Sequence, residues 1–407
     1  MAKRKLRKGV IPSFGVIICL IIGGIFVFTL PEKKELKEND TNITTTKSEE
    51  KKQERIAKLT LVGDFLFESP FYESVSKGYD KNNYFKLVKP YFEDDDITLG
   101  NMEVVIGNED LPVSGDGYNF CAPTYIGDLV SSLDFQVLST ANNHAFDRGL
   151  DGITSTLNYF KKTNIKTVGT YLNEEDKMQN RIIDANGIKF GFLAYTYGTN
   201  MKVSNDAEPL INKYRNSITK TFSDAEKEKI KNDVEKIKSE SDVVVVMMHW
   251  GNEFTFTQNN EQREVANYLN SIGVDIIYGS HSHSIQPIEV IGDTHKTLVY
   301  YSLGNFVSND DDIARTPKGE ETFDNAYQFG LLSTLNVKMD DEGNISIDNV
   351  KAEPIVNYFD SSLNNWLLIP YDKYTETYEK SHFRYNLGLT KEFINNTFTS
   401  VIDEKYR

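Results

Sequence analysis

The chain has 407 residues and a formal net charge of −15 at pH 7, with 39% hydrophobic and 26% charged residues. Setting aside the basic residues Lys3, Arg4, Lys5, Arg7 and Lys8 leaves a still more acidic remainder, whose surface repels polyanions and argues against nucleic acid as a partner. The cysteines, Cys19 and Cys121, are too few for a disulfide framework or a thiolate metal site.

Val10 to Leu30 is an uncharged, mostly apolar run. As a helix it would extend about 32 Å, enough to cross a hydrocarbon core of about 30 Å. The basic residues before it predict a cytoplasmic N-terminus, a single-pass anchor in the cell membrane and an extracytoplasmic main domain. Its length and its Phe28-Thr29-Leu30-Pro31-Glu32 ending set it apart from the shorter apolar region of a cleaved signal peptide, which is the rival reading. Residues 1–30 are therefore expected to be a basic stub and transmembrane anchor. Residues 31–57, dense in Lys, Glu, Asn and Thr, bury too little to offset their ordering entropy and are expected to be a polar linker.

From Lys58 to about residue 358, short β-rich runs alternate with helical stretches, the pattern of an α/β domain. Strands are predicted over 59–62, 97–99, 135–138, 189–194, 243–248, 275–278 and 297–301, with helices over 84–92, 126–133, 152–162, 224–239 and 261–272. The Val-Val-Val-Val-Met-Met run from Val243 to Met248 lacks alternation, as befits an interior strand covered on both faces. Residues 327–338 and 345–358 read as further strands extending a sheet. The long polar connection 199–221 is a candidate lid or binding loop, and the acidic loop 308–324 is expected to be solvated. Residues 359–407 form a C-terminal extension with an amphipathic stretch at 391–402.

Polar groups collect at the tails of five predicted strands. Asp64 ends Leu59 to Asp64, and Asn101 and Glu103 end Ile97 to Glu103. Asn143, His144 and Asp147 lie within Ala141 to Asp147. His249 and Glu253 lie within His249 to Glu253, and His281 and His283 within Gly279 to His283. In open α/β sheets ligands bind at the carboxyl ends of the strands, and imidazole with carboxylate is the donor set that divalent metals take for hydrolysis. His281 and His283, two apart in a segment expected to be extended, would point to the same side. Asp147 and Glu253 read as groups that orient ligands, and Trp250 as a packed aromatic. No His-Glu-x-x-His, Gly-x-Ser-x-Gly or Gly-x-x-x-x-Gly-Lys-Ser/Thr string occurs, which leaves zincin, serine-hydrolase and P-loop readings without an anchor.

The ordered set Gly63-Asp64, Asn101-Met102-Glu103, Ala141-Asn142-Asn143-His144, His249-Trp250-Gly251, Gly279 to His283 and Tyr301-Ser302-Leu303-Gly304-Asn305-Phe306 resembles the calcineurin-like metallophosphoesterases. Among them it resembles the CapA family, exported proteins of poly-γ-glutamate capsule production. The resemblance implies a four-layer α/β/β/α sandwich and one or two divalent ions of the Mn, Zn or Fe kind. Asp64 and His283 would hold one ion, Asn143, His249 and His281 the other, with Glu103 or Asn101 between them, and His144 would be the general acid. The chain departs from the metallophosphoesterase pattern where Leu66 stands in place of a histidine, and where Asn101 and Glu103 occupy the neighbourhood of the bridging aspartate. The implied partners are membrane-embedded capsule synthase subunits and the anionic polymer. Two activities remain open. One is a metal-dependent phosphoesterase at the cell surface; the other is a cation-dependent or degenerate cleft on an assembly or export partner of the synthase. Leu66 and the phosphate-free polymer favour the second.

Overall fold

The computed structural model describes residues 54–115, 119–309 and 325–407. The apolar run at 10–30 and the acidic stretch at 310–324 lie outside the described residues. Among those described, no helix is long and apolar enough to cross a membrane.

The chain builds two large sheets in three passes. The first pass gives β1 (Arg55–Leu66), α1 (Ser69–Ser76), β2 (Ile97–Met102), β3 (Val105–Ile106), β4 (Cys121–Ala122), α2 (Thr124–Ser131), β5 (Val137–Ser139), α3 (Gly149–Phe160) and β6 (Lys166–Val168). Of these, β1, β2, β5 and β6 lie parallel in one sheet. The second pass gives α4 (Glu174–Lys177), β7 (Arg181–Ala185), β8 (Ile188–Thr196), α5 (Asp224–Lys238), β9 (Val243–His249), α6 (Asn260–Ser271), β10 (Ile276–Ser280), β11 (Ile288–Ile291) and β12 (Thr297–Tyr300). These strands form a second sheet in the order β11-β12-β10-β9-β8-β7, parallel through its centre. The third pass returns to the first sheet with β13 (Asn305–Ser308), β14 (Phe329–Met339), β15 (Ile345–Phe359) and β16 (Trp366–Pro370). The first sheet then reads β16-β15-β14-β1-β2-β5-β6, with β13 pairing beside the end of β1.

Side-chain alternation stacks these sheets face to face. In β9, Val243, Val245 and Met247 join Leu59 and Leu61 of β1 and Leu99 of β2 in the core between the sheets. Their neighbours Val244, Val246 and Met248 turn the other way, onto Ile230 and Val234 of α5 and Val265 and Leu269 of α6. Every residue of β9 is buried, which explains why the run shows no polar alternation. The first sheet's outer face carries an aromatic layer in which Phe65 sits edge-on to Phe135 and Phe306, with centroids 5.4 and 4.9 Å away.

Several expectations are corrected. The helix expected over 84–92 is instead a pair of 3-10 turns, Lys81–Asn83 and Lys89–Phe92. Buried Tyr84, Phe85, Val88 and Phe92 mimic a helical period, but Pro90 has no N–H and disfavours helical geometry in the residue before it. The linker does not run to residue 57, because Arg55 to Ala57 already pair with Met339 to Val337. The boundary expected at 358/359 falls within β15, and residues 360–407 belong to the same fold. β16 pairs with β15, and Ile394 and Phe398 of the helix Lys391–Val401, with Ile402 and Tyr406, enter the core shared by both sheets.

Candidate metal centre

The parallel strands of both sheets end at a common rim, and close backbone approach brings the rim together. A Cβ on Gly63 would lie 1.8 Å from the carbonyl oxygen of Gly304, so only glycine lets β1 press against the turn leading into β13. The next residue, Asp64, donates its amide to that carbonyl at 3.0 Å. Gly279 does the same for β10, where a Cβ would lie 2.2 Å from the carbonyl oxygen of Tyr301. The glycines before Asp64 and before the His281 and His283 pair are therefore steric requirements of the site.

Asp64, Asn101, Glu103, Asn143, His144, His249, His281 and His283 are all buried at this rim, none more than 5% exposed. Two groups of possible ligands share one residue. Donor atoms of Asp64, Glu103 and His283 lie within 4.8 Å of one another, as do those of Glu103, His249 and His281. Glu103 thus stands between the two sets. Its Oε1 is 3.3 Å from Nε2 of His249 and 3.8 Å from Nε2 of His283, yet has no hydrogen-bond partner among the described residues. Nδ1 of His281 is likewise buried without one.

Asn101 takes a different part from Glu103. Its Nδ2 donates to Oδ1 of Asp64 at 2.8 Å and to Oε2 of Glu103 at 3.2 Å, while its Oδ1 accepts from Asn142 at 3.2 Å. Its amide nitrogen holds both carboxylates while its oxygen is held by Asn142, so in this arrangement Asn101, expected as a possible ligand, acts as a positioning group for Asp64 and Glu103. Oδ1 of Asn143 lies 2.8 Å from Nε2 of His249, on the same side as Glu103. His281 and His283 do not sit on an extended strand as expected. β10 ends at Ser280, and the two histidines take left-handed φ values of 97° and 51°. Such conformations are unfavourable for side-chain-bearing residues and concentrate at functional sites. Here they turn the chain so that the His281 amide donates to Oδ2 of Asp64 at 3.1 Å.

The ligands are held from behind. Oδ1 of Asn305 can only accept, so at 3.0 Å from Nδ1 of His283 it keeps the proton there and leaves the Nε2 lone pair facing Glu103. Ser280 Oγ lies 2.9 Å from Nδ1 of His249. Asp147 Oδ2 holds Nδ1 of His144 at 2.7 Å and accepts from the Phe120 amide at 2.6 Å. Asp147 thus fixes the His144 ring. Asn200, from the connection after β8, places its Nδ2 3.4 Å from the other ring nitrogen of His144. Glu253 joins a third group with His281 and His283, closer than an orienting role required. Trp250 is fully buried and donates to the Tyr301 carbonyl at 2.8 Å, a packed aromatic as expected. Leu66 is buried in the outer core of the first sheet and takes no part in the site. Asn305 belongs to the Tyr301 to Phe306 motif, yet its sequence context assigned it no role. Ser280 and Asn200 carried no signal, because their partners lie 31 and 56 residues away in sequence.

Electrostatics fit a cation. Burial, then the neighbouring Glu103 carboxylate, raises Asp64 well above the usual carboxylate range. Burial foremost pushes Glu103 up to about 8, against the opposing charge of His144. Burial also holds His249 and His281 well below the ordinary imidazole value and His283 down to about 3. A divalent ion relieves carboxyl groups that resist ionising together by supplying positive charge where solvent is absent, and it takes imidazoles in the neutral form that burial already favours here. The orphaned Glu103 and His281 atoms, with this donor chemistry, fit such an ion.

Residues 58–310 match the family described as bacterial capsule synthesis protein PGA_cap. The chain is 27% identical over 309 residues to the PGA biosynthesis protein CapA of Bacillus subtilis (strain 168), covering 75% of this chain and 73% of the relative. It is 28% identical over 254 residues to the capsule biosynthesis protein CapA of Bacillus anthracis, spanning 61% of this chain and less than two thirds, 59%, of that relative. Among solved structures, it superposes on a putative 5'-nucleotidase from Staphylococcus aureus, in complex with alpha-ketoglutarate, at TM-score 0.41 and 13% identity, over 75% of this chain and 55% of that one. With the family match spanning well over half its length, the chain belongs to the bacterial capsule synthesis proteins of the PGA_cap family.

Proposed function

We propose that this chain is a membrane-anchored, extracytoplasmic component of poly-γ-glutamate capsule synthesis, built on a metallophosphoesterase-like sandwich. Its strand-end site holds one or two divalent ions, and it acts as an assembly or export partner of membrane-embedded synthase subunits. The carrying observation is the buried, hydrogen-bond-orphaned Oε1 of Glu103 between His249 and His283. Asp64, Glu103, Asn143, His249, His281 and His283 would hold the metal. The anchor rests on the apolar run Val10 to Leu30 and the basic residues before it. The capsule role rests on the names of the relatives.

When bound, a divalent ion supplies Lewis-acid polarisation of an oxyanion and neutralises local negative charge. The chain's own residues organise around that. Asn101 keeps the Asp64 and Glu103 carboxylates in place. Asn305 and Ser280 set the rings of His283 and His249. Leu66, turned into the core, removes the imidazole that the metallophosphoesterase pattern puts there, which favours binding over turnover.

A second reading, an active metal-dependent phosphoesterase, is favoured by one observation. His144 is oriented by a buried carboxylate at 2.7 Å, the arrangement that lets an imidazole carry a proton at Nε2 toward a leaving oxygen. A phosphoester screen with added Mn²⁺ separates the two. The partner reading expects no turnover, and capsule formation that survives His144→Ala but fails when residues 1–30 are removed. Turnover that disappears in His144→Ala with metal retained would replace it with the enzyme reading.

A further inference from the structure

The long connection after β8 and the start of α5 line an open cavity of about 770 Å³ whose wall includes Tyr197 and Asn200. Both residues also touch the metal centre. The Tyr197 ring lies 4.7 Å from that of His281, and Asn200 reaches His144. The cavity therefore adjoins the centre across these two side chains.

The charge of this wall opposes that of the chain. Five cationic side chains line it against the carboxylates of Glu208 and Glu226, in a protein of net charge −15. Two of the five are already engaged, Lys213 with Glu208 at 2.7 Å and Arg215 with Glu261. Lys202, Lys220 and Lys229 remain, none with a hydrogen bond or ion pair to its ammonium group among the described residues. Burial and the nearby Lys177 hold the half-buried Lys229 below the usual lysine range. Ammonium groups gathered in one concavity repel one another, and such a cleft draws anions to it. The volume lies within the range of ligand pockets and is larger than one oxyanion requires.

We propose that this cavity is the binding site for a multivalent oxyanion, whose charged groups bind Lys202, Lys220 and Lys229 while one end reaches the His144 edge of the metal centre. This rests on the metal-centre reading above, since it assigns the ligand class of the same site. Polycarboxylate and polyphosphate share the chemistry, and the two arms of the test separate them.

Calorimetry on the full-length purified protein uses inorganic tripolyphosphate and a short γ-linked glutamate oligomer as probes. At least one should bind, with affinity falling as salt rises, and Lys202→Gln with Lys220→Gln should weaken it about tenfold. Both lysines are exposed, so the variant should melt like the parent. Adding Lys229→Gln should abolish binding. The probe that binds names the source, and binding of both assigns the shared chemistry alone. Absence of binding by either probe, or equal binding by the parent and the triple variant, overturns the proposal. Metal content measured on the same samples keeps the two readings apart. Unchanged metal with no lysine effect sinks the cavity alone, whereas metal retained by His281→Ala with His283→Ala sinks the centre.

Discussion

Two buried histidines in different parts of the molecule make an instructive pair. His382, beside the C-terminal strands, is as buried as His281 at the rim, and burial lowers its pKa to about 4. Yet its Nε2 meets the Asn357 carbonyl at 2.9 Å and its Nδ1 accepts the Arg384 amide at 3.0 Å. Arg384 in turn donates from Nε to Asn325 at 3.0 Å. His281 has a buried Nδ1 with no partner, an unfavourable backbone conformation and two further imidazoles within ring contact. Burying an unpaired polar group costs about 1–3 kcal/mol, so the rim is less stable than the C-terminal layer until something fills it. One region is built to hold itself together and the other to hold an ion.

The largest effect should separate these two histidine environments outright. His281→Ala with His283→Ala should abolish divalent metal binding, read by elemental analysis, while His382→Ala should leave metal content unchanged and lower stability by about 2–4 kcal/mol in denaturant titrations. Metal loss in His382→Ala, or metal kept by the double variant, would erase the distinction.

Glu103→Gln sharpens it. The substitution keeps the volume and removes a buried acid, so the metal-free protein should melt no lower than the parent. Metal affinity should fall by more than the roughly 10–100-fold that losing a ligand's partner costs. An affinity equal to the parent's would move the ion away from Glu103.

The rim should also respond to pH in a way the C-terminal layer does not. With Glu103 raised from 4.5 to about 8, its contribution to metal-free stability is fully present below about 4.5 and is lost as pH rises through about 8. For His283, lowered from 6.5 to about 3, the sign is opposite: its contribution is present above about 6.5 and lost as pH falls through about 3. A metal must displace the Glu103 proton, so uptake at pH 7 should release protons and affinity should rise about tenfold per pH unit toward pH 8. Calorimetry in buffers of different ionisation enthalpy measures this, and uptake without proton release would contradict the assignment.

The smallest effect is expected behind the ligands. Asn305→Ala frees the His283 ring and should weaken metal binding about tenfold at unchanged metal stoichiometry; an unaltered affinity would show that the ring is fixed by packing alone.

Asp64, His249 and the His281 and His283 pair were legible in the sequence, because polar groups directly after apolar runs have one rim on which to sit. The division of labour between Asn101 and Glu103 was not, since both follow the same strand and only the cross-strand bonds to Asp64 and Asn142 distinguish them. The left-handed turns at His281 and His283 run against what side-chain-bearing residues prefer, so local reasoning extended a strand through them. The interior strands were read from their all-apolar composition. The membership of β13 to β16 in the first sheet depends on pairing across more than 200 residues, as between Asp64 and Asn305, and no local pattern reports that.

Crystals grown with Mn²⁺ and measured for anomalous scattering would show whether Glu103 holds an ion between the two sets of ligands. A peak is expected within about 2.0–2.3 Å of the Glu103 carboxylate and of at least one of His249 and His283. A peak elsewhere with Glu103 bare, or an empty rim at saturating Mn²⁺, would contradict that assignment.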